Sequence, residues 1–89
     1  PTYFHGNLNG NIYQEDDKGL VCEISSNIDG DIFGTNIEVY GVVTGQINAT
    51  NSLIIYPTAK VTGQIKAKNF KIYAGAQFNG EMNSTQPVL

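Results

Sequence analysis

The chain has no arginine and no tryptophan, and its 89 residues include one cysteine, one histidine and one methionine. A lone Cys22 excludes a disulfide framework within the chain. Phosphate readers carry clustered basic residues and favour arginine for two-pronged contacts. With no arginine and a net charge of −3, nucleic acid is not an expected partner. The single His5 leaves no Cys/His cluster for a metal, and no phosphate-cradling glycine loop is present. Apolar runs are only a few residues long, too short for a transmembrane helix. Charged residues are scarce at 15%, yet five Tyr, four Phe and many β-branched residues argue against disorder. A chain this short buries about 60–65% of its unfolded surface. That suits one domain and not a large enclosed active site.

Charge is unevenly placed. Residues 1–44 hold Glu15, Asp16, Asp17, Glu23, Asp29, Asp31 and Glu38 against Lys18 alone. Residues 45–89 hold Lys60, Lys66, Lys68 and Lys71 against Glu81 alone. The front is acidic and the back basic.

What the chain does have is a repeat. An apolar-x-Gly-x-apolar unit occurs at Leu8–Ile12, Ile28–Ile32, Val43–Ile47, Val61–Ile65 and Phe78–Met82. Its glycines are Gly10, Gly30, Gly45, Gly63 and Gly80. Ahead of the later units lie the alternating pairs Leu20/Cys22, Ile37/Val39, Leu53/Ile55 and Phe70/Ile72. Period-two alternation reads as short half-buried strands. Tyr40, Tyr56 and Tyr73 directly follow the last three pairs. Ala59 and Ala76 stand four positions before a glycine, and Ala49 and Ala67 four after one. No stretch carries a helical stripe.

A period of roughly 17–18 residues is too short for ankyrin, tetratricopeptide or propeller units. It predicts an all-β, single-domain parallel β-helix of about five coils, with 15–20 residues per coil. Stacked coils close each other's backbone hydrogen bonds and align like residues about 4.8 Å apart. Leu8, Ile28, Val43, Val61 and Phe78 then form one inward ladder. Ile12, Ile32, Ile47, Ile65 and Met82 form a second, and Leu20, Ile37, Leu53 and Phe70 a third. Cys22 aligns with Val39, Ile55 and Ile72, as a core residue would. The long first interval is assigned to a protruding acidic turn, Gln14–Gly19. The expected boundaries are a flank at 1–5, the β-helix at 6–84 and a tail at 85–89.

The units Val43–Ala49 and Val61–Ala67, with the coil length and the ladders, resemble the bactofilin family of bacterial polymer-forming cytoskeletal proteins. The resemblance spans about residues 6–84. It implies a right-handed β-helix that stacks end to end into filaments without nucleotide or other cofactor. It also implies a scaffold for cell shape, wall synthesis or polar organisation in the bacterial cytoplasm, at the inner face of the cytoplasmic membrane. The implied partners are further copies of the chain and cell-wall or morphogenesis proteins. Membrane contact in the family belongs to flanking tails and is not encoded in this segment.

Open solenoid ends also favour assembly on physical grounds, because unpaired strand edges over an apolar core pair with another copy unless capped. The candidate front interface is Tyr3, Phe4, Leu8 and Ile12; the candidate back interface is Phe70, Ile72, Phe78 and Met82. Attraction between acidic front and basic back favours head-to-tail stacking, but salt screens it beyond about 8–10 Å. Packing of matched apolar ends is expected to outweigh it. In the competing arrangement, Tyr3 and Phe4 plug the front and Gln86–Leu89 covers the back. The chain is then a capped, non-polymerising protein- or glycan-binding module acting through the acidic turn or a lateral face of Tyr40, Tyr56 and Tyr73.

A left-handed hexapeptide acyltransferase solenoid fits Val43, Ala49, Ile55, Val61 and Ala67, six apart, but the phase is lost outside that segment. Such an enzyme needs a histidine base, and His5 lies in the flank. Asp29 and Asp31 flank Gly30 on one outward side, a weak arrangement for a cation that favours several oxygen ligands. The chain is therefore expected not to be an enzyme.

Overall fold

The computed structural model describes residues 2–14 and 18–84. They form seven strands: β1 (Thr2–Asn9), β2 (Ile12–Tyr13), β3 (Leu20–Asp29), β4 (Ile32–Val39), β5 (Val42–Ile55), β6 (Lys60–Ile72) and β7 (Gln77–Ser84). Every pairing is parallel. The strands run in the order β1-β3-β4-β5-β6-β7, with β2 on β4 and β3 also reaching β5. Each strand therefore pairs with the chain one coil further on. This is the parallel β-solenoid of about five coils that the repeat predicts, without a helix among the described residues.

The ladders follow the predicted alignment residue by residue. Leu8 pairs with Ile28, Ile28 with Val43, Val43 with Val61, and Val61 with Phe78. Ile12, Ile32, Ile47, Ile65 and Met82 form the second column. Leu20, Ile37, Leu53 and Phe70 form the third, and Cys22, Val39, Ile55 and Ile72 a fourth beside it. The middle members of each column are fully buried. Burying one such Ile, Leu or Val is worth about 1.5–3 kcal/mol, so adjacent coils hold each other by like residues. Cys22 lies in this packing as a free thiol, and burial pushes its pKa up to about 12.

The repeated glycine is required by the coil above it. Gly45 and Gly63 have φ of +134° and +129°, a region side chains disfavour. A Cβ on Gly63 would overlap the carbonyl oxygen of Gly45, and one on Gly45 would overlap that of Gly30. Backbone stacks on backbone at this bend.

Pairing starts at Thr2, which aligns with Leu20, so residues 2–5 belong to the first coil. Phe4 heads the Cys22 column. No repeat glycine marks this segment, and Tyr3 precedes the inward Phe4 where Tyr40, Tyr56 and Tyr73 follow their inward residues, so the repeat alone leaves it in a flank.

Corner lengths differ from coil to coil. Ile28 follows Cys22 by six positions, whereas Val43 follows Val39 by four. The interval from Leu8 to Ile28 thus has two sources of extra length. Three of its five additional positions, relative to the next interval, lie between Ile12 and Leu20, and two lie between Cys22 and Ile28. The sequence reading assigned them all to Gln14–Gly19; residues 15–17 of that turn lie outside the described residues. The other source is a corner at Glu23–Ser25, three residues facing His5 alone on β1. Gly41 packs beneath this corner, where a Cβ would overlap the Glu23 carbonyl oxygen and the Ser26 hydroxyl.

Candidate polymer interface

The site begins with strand edges. β1 pairs only with β3, and β7 only with β6, so each terminal strand keeps one edge without a partner among the described strands. At the front, Phe4, Leu8 and Ile12 are half-buried and pack against the core from one side. Tyr3 sits on the same strand, aligned with Val21, and is exposed on the outward side. Thr2–Phe4 are therefore strand residues in the first coil. The plugging arrangement for Tyr3 and Phe4 is not what β1 adopts.

The back end has the same construction. Phe70 and Phe78 are half-buried against the core, while Ile72 is 39% and Met82 42% exposed. Their column-mates one coil forward, Leu53, Val61, Ile55 and Ile65, are all fully buried. The difference comes from position alone: nothing described stacks on the last coil. Gln86–Leu89, the expected cover for this end in the capped arrangement, lies outside the described residues. The four predicted residues at each end thus come together on one end face, Tyr3 being the outward-facing member.

The flank carries a column of its own. Tyr40 and Tyr56 stack with ring centroids 4.0 Å apart and planes within 5°, and Tyr56 and Tyr73 stack at 5.3 Å and 17°. Their backbone N–H groups donate to the carbonyls of Cys22, Val39 and Ile55, which sets the column at the corner after each strand. The Tyr56 hydroxyl donates to Glu38 Oε1 at 2.6 Å. That bond, with a smaller contribution from Tyr40, holds the Tyr56 proton and raises its pKa well above the usual tyrosine value. Lys71 Nζ lies 5.0 Å from the Tyr73 ring centre, a cation–π distance. Both faces of the Tyr56 ring are taken by tyrosine.

A polar column runs beside the glycines. Asp31 N–H donates to Asn11 Oδ1 at 3.0 Å, and Gln46 N–H to Asp31 Oδ1 at 3.3 Å. Gln46 Nε2 donates to Gln64 Oε1 at 3.2 Å, and Gln64 Nε2 to Glu81 Oε2 at 3.5 Å. Asp31 thereby serves the coil stack, and among the described residues no group of three metal-ligating side chains forms around it or elsewhere.

Two features escaped the sequence reading. Tyr13 and Phe33 stack at 4.9 Å on a second outward face. Their register position, opposite each other across β2 and β4, was the signal. The other is the raised Glu23–Ser25 corner, for which unequal intervals were the only trace.

A family model described as "Bactofilin: Polymer-forming cytoskeletal" matches residues 2–83, nearly all of the described chain. The chain belongs to the bactofilin family. Among curated proteins, this bactofilin is 33% identical over 78 residues to Bactofilin BacO of Myxococcus xanthus (strain DK1622). That match covers 88% of the present chain and 60% of the relative, so the chain spans less than two thirds of the relative's length. No solved structure matches. The family is a polymer-forming, cytoskeletal one. No helix of the described residues is long and apolar enough to cross a membrane.

Proposed function

We propose that this bactofilin assembles end to end into filaments, without nucleotide, and serves as a structural scaffold and not as a catalyst. The carrying observation is the pair of open end faces. At each, a strand edge without a described partner lies beside apolar side chains that interior coils bury completely. A second copy completes both the ladder and the packing, and each large side chain then buried contributes up to about 1.5–3 kcal/mol. Matched apolar ends favour front-to-front and back-to-back contact, since exposed charges on the flanks are screened.

The scaffold is proposed to act in cell shape, wall synthesis or polar organisation, in the bacterial cytoplasm at the inner face of the membrane, with cell-wall or morphogenesis proteins as partners. These finer assignments rest on family membership. The test is negative-stain electron microscopy of the purified chain without nucleotide at two salt concentrations. Long thin filaments at both support end-to-end packing. Filaments that shorten at high salt point instead to head-to-tail charge pairing. Discrete particles at every concentration overturn the scaffold and favour a capped binding module.

A further inference from the structure

The corner Glu23–Ser25 stands between two shorter corners. His5–Gly6 lies on the coil before it and Tyr40–Gly41 on the coil after it. Only on the coil beyond, at Tyr56–Lys60, does a long corner return. A recess one coil wide is left in the flank, an open groove of about 580 Å³. Tyr40 and the outward-facing Val21 line its inner part, with Ile24 on one side and Thr58 on the other.

Two facts distinguish the groove from ordinary surface. Ile24 is 67% exposed, the most exposed large apolar side chain of the described residues, at the crest of a corner with no neighbouring corner to support it. Single exposed apolar residues are common, but this one shares a concave lining with Tyr3, Val21 and Tyr40. Among the described residues the lining also carries two carboxylates, Glu23 and Glu38, and no basic side chain. The surrounding half of the chain, residues 1–44, has seven acids and one base. Complementarity thus selects an occupant with positive charge beside apolar side chains. The tail of this chain, Thr85–Leu89, carries no lysine or arginine and does not meet that demand.

We propose that this groove docks a short extended segment of a partner protein in which lysine or arginine alternates with aliphatic or aromatic residues. The apolar side chains enter beside Ile24 and Tyr40, and the cations meet Glu23 and Glu38. The groove opens on the flank; Tyr3 borders both it and the front end face, but its inner part, Val21 and Tyr40, is distinct from the core columns that face the next copy at either end. The inference goes beyond the scaffold reading and does not depend on it.

The test is fluorescence anisotropy of the full chain with three labelled seven-residue peptides. One alternates lysine with leucine or phenylalanine, one replaces its lysines by glutamate, and one replaces its apolar residues by glycine. Only the first is expected to bind. Ile24→Ser and Glu23→Gln are each expected to weaken that binding about tenfold or more, as loss of an anchor does. Equal binding of the glycine or glutamate peptide, no binding of the first, or an unchanged affinity in both variants overturns the proposal. Circular dichroism and electron microscopy of the same samples report fold and filaments separately. Absent filaments with intact peptide binding would count against the scaffold alone.

Discussion

Tyr56 hands its hydroxyl proton to no one: it donates to Glu38 Oε1 on the preceding coil at 2.6 Å, while its ring lies between those of Tyr40 and Tyr73. The carboxylate favours the neutral phenol, so the folded-state pKa lies above the ordinary value near 10. A raised pKa means that the bond's contribution is complete below about pH 10 and is lost as pH rises through the folded value. In an absorbance titration of the phenolates, one of the five tyrosines should ionise last, and Tyr56→Phe should remove that late step. The same variant keeps the ring stack. It should cost about 1 kcal/mol or less at neutral pH, this being a partly exposed bond, and leave filaments intact.

Phe78→Arg and Met82→Arg place a charge in the end columns of the back face. Both are expected to abolish filaments by sedimentation and electron microscopy while far-ultraviolet circular dichroism stays that of a β protein. Met82 is already 42% exposed, so its replacement leaves the interior packing alone. Filaments persisting in both variants would remove the back face from the interface.

Gly63→Ala and Gly10→Ala separate stacking from local strain. In Gly63 the new methyl overlaps the Gly45 carbonyl oxygen, whereas at Gly10 nothing lies within 4 Å. Thermal melts should show Gly63→Ala severely destabilised, by about 3 kcal/mol or more. Gly10→Ala should cost only the backbone strain of a positive φ, about 1–3 kcal/mol.

Ser26 occupies the small-residue position four before Gly30, as Ala59 and Ala76 do before Gly63 and Gly80. Its buried Oγ finds no hydrogen-bond partner among the described residues. An unpaired buried hydroxyl costs about 1–3 kcal/mol, so Ser26→Ala should raise the melting temperature, or at worst leave it unchanged. A marked drop would mean the hydroxyl has a bond in solution.

The ladders were legible because coil stacking places like on like. Val43-Thr-Gly45-Gln-Ile47 aligns with Val61-Thr-Gly63-Gln-Ile65 without a slip, and the tyrosines follow from the same register. The first coil was only half legible: Thr2–Phe4 pairs with Leu20–Cys22 through backbone bonds that impose no residue pattern. The corners were least legible. How far Glu23–Ser25 stands out depends on the corners of adjacent coils, so Ile24 reads as an ordinary strand residue until those lengths are known. The terminal members of each column were legible because they are simply its first and last copies. Tyr13 against Phe33 was missed because only one such pair exists.

The corner after Cys22 is two residues longer than the one after Val39, yet the strands on either side remain paired. A length change at a corner is therefore absorbed where it occurs and does not propagate along the rod. Insertions and deletions on the flank become evolutionarily inexpensive, since neither the interior nor the end faces have to answer them. Two bactofilins with interchangeable ends can in this way carry entirely different sides.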